Sequence, residues 1–219
     1  MTADLTGTTG EAPLRADARR NRDQIISAAK TIFASDGPDV PMEDIARLAG
    51  VGVGTLYRRF PDREALIRAV ARDNFASALA HARASEAEEP TGWQALVRLL
   101  GHSEELELSV RLAMLSPGAW VVIKHDPVTE ELRRELLEVL DRVLRAGQAE
   151  GTLRPDVGAG DVAILFIMLL RRPREHATDT GRVAARRALA IMLDGLRVRP
   201  DPTELPGHPM QTSDLRPER

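Results

Sequence analysis

The stretch MEDIARLAGVGVGTLYRRFPDREAL, residues 42–66, decides how the rest of the chain is read. Ile45, Ala46, Leu48 and Ala49 are the apolar positions of a short helix that Gly50 ends. A second short helix, about residues 53–59, is closed by Phe60-Pro61-Asp62. The two are joined by Gly50-Val51-Gly52-Val53. Gly50 lets the backbone reach the positive φ of a sharp interhelical turn. Val51 is apolar in a loop, which makes sense if it plugs a small core, and Ala46 is small enough for two helices to cross closely. Leu56 and Phe60, four residues apart, anchor the second helix inward and leave Val53, Thr55, Tyr57, Arg58 and Arg59 facing out. So short a helix does not hold by itself, and its rigidity is expected from Ile45, Leu48, Val51, Leu56 and Phe60. This is the layout of a helix-turn-helix, whose second helix enters the DNA major groove.

Outward from this stretch the pattern stays helical. Upstream, Ile25, Ile26, Ala29, Ile32 and Phe33 recur at three- and four-residue spacing over residues 17–35 until Asp36-Gly37-Pro38 stops them. Residues 1–14, rich in Thr, Gly and Ala, have no period and are expected to be a flexible arm. Downstream, a helix starting around Pro61 runs to about residue 87, and two more cover 93–100 and 106–115. Ser116-Pro117-Gly118 and Asp126-Pro127 read as breaks. Residues 128–148 carry a wide apolar stripe. Residues 161–172 are apolar nearly all round, as expected of a helix buried on most sides. A last helix spans 181–196. Five prolines follow Val198, so residues 199–219 are expected to be a disordered tail. No segment alternates with period two. The fold class expected is all-α: an arm (1–14), a three-helix DNA-binding domain (15–67), a helical body (68–198) and the tail.

Composition narrows the classes further. In 219 residues there are 30 Lys plus Arg against 33 Asp plus Glu, with 43% apolar residues, an ordinary globular balance. With no cysteine, a disulfide scaffold, a thiolate zinc site and a Cys nucleophile are all excluded. The longest apolar run, residues 162–170, is far short of the ~20 residues a bilayer span needs, and the N-terminus does not read as a secretory signal. Residues 15–70 net +2 and the remainder −5, a mild bias toward a polyanion partner at one end.

The string Ile45-Ala46 … Ala49-Gly50-Val51 … Gly54-Thr55-Leu56-Tyr57 … Phe60 resembles the DNA-binding signature of the TetR family of bacterial transcriptional regulators, mostly repressors. In motif detail the resemblance covers about residues 15–70. It implies that Thr55 and Tyr57 touch phosphates and base edges, that Val53, Gly54 and Arg59 tune sequence preference, and that Met42 and Arg63 contact the DNA backbone. Arg63 also sits at a helix start, where phosphate is favoured. Two positions depart from the family: Pro41 and Gly52 stand where a hydroxyl cap is frequent. With Gly52 and Gly54 bare, base reading is expected to fall mainly on Arg58, Arg59 and Tyr57. Arg15, Arg19, Arg20 and Arg22 read equally well as a minor-groove arm or an ordinary charged helix turn. Gly50-Val51-Gly52-Val53-Gly54 is no nucleotide loop, since no strand precedes it.

The resemblance also implies a cytoplasmic homodimer on a pseudo-palindromic double-stranded operator, paired through the penultimate long helix and the last one, and released by a small-molecule effector. Candidate pocket residues in the body are Phe75, Trp93, Leu96, His102, Met114, Trp120, His125 and Phe166; both tryptophans fall within residues 93–120. The histidines are scattered, so no metal or cofactor is expected. Two alternatives are kept: an all-α enzyme without DNA binding, for which no catalytic string appears, and a helical interaction protein that does not bind DNA.

Overall fold

The computed structural model describes residues 11–101, 104–170 and 179–215. Among them the regular elements are all helices: α1 (Glu11–Asp36), α2 (Met42–Leu48), α3 (Val53–Arg59), α4 (Arg63–Glu88), α5 (Gly92–Gly101), α6 (Glu104–Leu115), α7 (Pro117–Lys124), α8 (Pro127–Ala149), α9 (Ala159–Leu170), α10 (Asp179–Leu196) and a short 3-10 helix, Thr212–Leu215. One isolated antiparallel bridge joins Leu153 to Arg197. Two compact units divide the chain at Val70/Ala71, inside α4.

In the first unit, Ile25, Ile26, Ala29 and Phe33 of α1 are buried, as are Ile45 and Ala46 of α2 and Leu56 of α3. Helix α1 begins earlier than expected, at Glu11, inside the stretch read as a flexible arm; residues 1–10 lie outside the described residues. The turn after α2 is a Schellman motif. Gly50, at φ 67, donates its N–H to the Arg47 carbonyl at 3.2 Å, and the Val51 N–H reaches the Ala46 carbonyl at 3.0 Å. Leu48 departs from expectation. It is 52% exposed, on the stripe of α2 beside the one that carries Ile45, where it lines an open groove with Ile32 and Val40. Helix α4 starts on an Asp62 cap whose carboxylate accepts the Ala65 N–H at 2.6 Å, so Pro61 lies just outside it.

The second unit packs α5, α8, α9 and α10 around Leu96, Leu100, Leu140, Val143, Leu144, Val162, Phe166 and Leu170. Helices α5 and α8 touch through glycines: a Cβ on Gly92 would lie 2.2 Å from the Gly147 nitrogen. The two expected breaks are helix starts. Ser116 caps α7, accepting the Ala119 N–H at 3.2 Å, and Asp126 caps α8, accepting the Thr129 N–H at 2.9 Å; each is followed by proline in the first turn. Helix α9 is less buried than its composition implies, with Leu165, Ile167 and Met168 exposed.

The tail is not loose over residues 199–215. The Met210 carbonyl accepts the Gly160 N–H at 2.8 Å, the Met210 N–H donates to the Asp161 carboxylate at 3.1 Å, and Leu215 packs on the core. Its four prolines remove only four N–H groups, and Met210 offers both its N–H and its carbonyl to the first turn of α9. Residues 216–219 lie outside the described residues.

Candidate nucleic-acid interface

Helix α3 is held from one side and open on the other. Leu56 is fully buried. Thr55 and Leu56 both donate their N–H to the Gly52 carbonyl, at 2.8 and 3.1 Å, and Phe60 N–H closes on the Leu56 carbonyl at 2.8 Å. Gly52 thus starts the helix with backbone alone, no side-chain cap being present. The opposite face carries Val53, Gly54, Tyr57, Arg58 and Arg59, all exposed, with Thr55 half-buried. Arg58 donates to the Thr55 hydroxyl at 3.0 Å, so these two form one unit. Tyr57 and Arg59 have no polar partner among the described residues, and their full donor sets point outward.

Met42 and Arg63 sit differently from the other candidates. The Met42 side chain is buried, which leaves its backbone as the group able to meet a phosphate. Half-buried Arg63 donates to the Pro38 carbonyl, bracing the α1–α2 connection against the start of α4. Arg20 pairs with Asp17 at 2.8 Å and Arg22 with Asp23 at 3.4 Å. The family-frequent cap is absent at Pro41, which offers only its carbonyl, accepting the Asp44 N–H at 3.2 Å.

The body's candidate pocket residues do not form one group. Leu96 and Phe166 are buried in the same core, and Trp93 packs against it with the Arg197 guanidinium 4.4 Å from its ring centre. Phe75 is half-buried on α4. Trp120 is 48% exposed on α7, with Lys124 over its ring. Exposed His125 turns back to the Val121 carbonyl at 2.9 Å. These last two face outward because α7 buries Ala119 and Ile123 instead. His102 lies outside the described residues, as does the Met114 side chain. No group of metal-ligating side chains occurs among the described residues.

Comparison with known proteins fits this division. Residues 25–70 match the family of bacterial regulatory proteins, tetR family, and residues 94–198 match the SbtR-like transcriptional regulator C-terminal domain. A TetR transcription regulatory protein from Mycobacterium vanbaalenii is 34% identical, with a TM-score of 0.61 over 85% of this chain and 100% of that one. The chain belongs to the TetR family. The HTH-type transcriptional repressor KstR2 of Rhodococcus jostii is 27% identical over 188 residues, 80% of this chain and 90% of its own. The TetR-like regulator LfrR of Mycobacterium smegmatis, solved in complex with proflavine, is 26% identical with a TM-score of 0.56, over 83% of this chain and 99% of that one. As a TetR regulator the protein is not an enzyme, and its N-terminal unit is the family's DNA-binding helix-turn-helix. Among the described residues, no helix is long and apolar enough to cross a membrane.

Sequence reading missed one charged pair in this TetR body. Asp126, 3% exposed, takes both Arg72 of α4 and Thr129 of α8 on its carboxylate. The Arg72 guanidinium, helped by two Thr129 donors, holds its carboxyl far below the usual carboxylate range despite burial. Only the capping role of Asp126 had a signal in the sequence: Asp-Pro before an apolar-periodic run marks an N-cap followed by proline.

Proposed function

We propose that this regulator is a repressor that binds a pseudo-palindromic operator as a symmetric dimer and releases it when a small molecule occupies the body. The outward face of α3 carries the reading: Tyr57 and Arg59 are exposed and unpartnered, on a helix fixed from behind by Leu56. Thr55 and Tyr57 contact phosphate and base edges, Met42 docks by its backbone N–H, and Val53, Gly54, Arg58 and Arg59 line the groove. Arg63 acts by bracing the head. An Arg that reaches guanine contributes about 1–3 kcal/mol of discrimination. KstR2, a repressor by name, supports repression. LfrR with its bound proflavine supports relief by a small organic ligand.

Dimerisation is supported by the apolar side chains that α9 and α10 leave in solvent, Leu165, Ile167 and Met168 on the first, Val183 and Ile191 on the second. Large apolar side chains left exposed on both of these helices suit an interface between copies, and a two-fold dimer matches two half-sites about 34–36 Å apart per turn. A ligand relieves repression only by binding one arrangement of the dimer more tightly than the other. Such a regulator works beside the chromosome, in the cytoplasm. A gel shift on the gene's own upstream region, followed by footprinting, tests this. Two protected half-sites and a steep loss of affinity with salt are expected; binding that ignores salt and sequence overturns it.

A further inference from the structure

Asn74 is fully buried on α4, yet its amide is only half used. Its Nδ2 donates to the Ser109 hydroxyl on α6 at 3.0 Å, while Oδ1 meets no partner among the described residues. Ser109 is itself 3% exposed. A turn away on the same faces, Ala71 and Ala78 on α4 and Leu112 on α6 are apolar and buried, and none of the three carries a side-chain donor. A buried acceptor left empty costs the fold stability that a leucine of similar size would restore. An ordered water wants about three polar partners, and the amide and one hydroxyl fall short of that. The free oxygen is therefore placed to receive something the protein lacks by itself.

We propose that Asn74 Oδ1 is the polar anchor of the effector site, accepting a hydrogen bond from an uncharged, mainly apolar molecule that carries a hydroxyl or amide N–H. This rests on the ligand-relieved reading above. Ser109 fixes the orientation of the amide by occupying Nδ2, so the oxygen is the group turned to the ligand. A carboxylate or phosphate brings only acceptors and sets its charge against that oxygen. Asn74 also stands on the helix whose first residues follow the reading helix in sequence, so a ligand held there bears directly on α4.

Calorimetry on the full chain with 1-octanol and its isomer heptyl methyl ether, which has the same atoms but no donor, tests the anchor; sodium octanoate is the third arm. Octanol is expected to bind about tenfold more tightly than the ether, the worth of one hydrogen bond, and octanoate more weakly than octanol. Asn74→Leu brings octanol and ether within about twofold and raises the melting temperature of the ligand-free protein. Asn74→Ala, which adds no bulk, levels the pair in the same way should the leucine variant fail to fold. Equal binding of the pair to the wild type, no binding of either, tighter binding of octanoate, or a preference that survives both substitutions overturns the anchor. Operator release is followed in parallel over a compound panel. A donor-free compound that releases wild type and variant alike overturns the anchor and leaves ligand relief standing, whereas release by no compound overturns ligand relief.

Discussion

Arg72 and Asp126, 54 residues apart, meet in a two-pronged ion pair, with Arg72 Nε 2.8 Å from Oδ2. The same carboxylate accepts the Thr129 N–H and hydroxyl at 2.9 and 2.7 Å. One buried side chain thus starts α8 and ties it to α4. The Asp126 side chain is 2% exposed while that of Arg72 is 42% exposed, so the pair is screened from the arginine side and worth less than a fully buried one.

Replacing Arg72 with Met is expected to cost about 2 kcal/mol at neutral pH, because it leaves a buried carboxylate without its cation. The sign of the pH dependence follows from the lowered Asp126 pKa. Stability from the pair is fully present above the unfolded value of about 3.9, and it fades as pH falls through the lower folded value. In the variant Asp126 protonates readily, so the gap between the two proteins closes in acid. Urea midpoints at about pH 7 and pH 3.5 check this. A gap of the same size at both pH values would falsify the pairing energetics.

Gly92→Ala is expected to be among the most damaging small changes in the body. Its Cβ would meet backbone, 2.2 Å from the Gly147 nitrogen and 2.8 Å from its Cα, and backbone cannot rotate aside as a side chain can. Forcing α5 from α8 is expected to cost about 3 kcal/mol or more. Thermal melts of the variant beside Gly101→Ala, where a Cβ meets open space, check this. Equal melting temperatures for the two would contradict the close approach.

Arg59→Ala and Arg58→Ala are expected to differ. Arg59 has no polar partner among the described residues, so its truncation removes a free donor set: about 1–3 kcal/mol of preference between operators, and a change in which base is preferred. Arg58 already bonds Thr55, so its loss weakens all sequences more evenly and lowers the salt slope by about one. Competition gel shifts with base-substituted operators separate the two outcomes. Unchanged operator preference in Arg59→Ala would remove it from base reading.

The helix-turn-helix was legible because each step has a local cause. Gly50 supplies a positive φ, Val51 completes the Schellman turn, and Leu56 and Phe60 fall on one helix face. Leu48 was not legible, since period alone cannot say which of two neighbouring apolar stripes wins the core. Helix α7 was hidden because Ser116-Pro117 and Asp126-Pro127 look like breaks until proline is placed in the first turn and the preceding residue caps it. The Arg72–Asp126 pair and the half-used Asn74 amide depend on tertiary neighbours, which no periodicity reports. The tail was misread because proline content was weighed without the glycines at 158 and 160 that receive it.

Those glycines give the last test. Asp161 accepts the Gly158 and Met210 N–H groups at 2.9 and 3.1 Å. The Met210 carbonyl takes the Gly160 N–H, satisfying a donor that helix starts otherwise leave open. A Cβ on Gly160 would sit 2.7 Å from both the Met210 and Gln211 carbonyl oxygens. Gly160→Ala is therefore expected to lift the strap from α9 while the helix itself persists, alanine being the better helix former. Limited proteolysis reads this directly: cleavage within residues 199–215 should speed up by about tenfold, the equivalent of ~1.4 kcal/mol lost from the docked state, with helical circular dichroism unchanged. Equal cleavage rates in variant and wild type would mean that the strap draws its hold from Leu215 in the core instead.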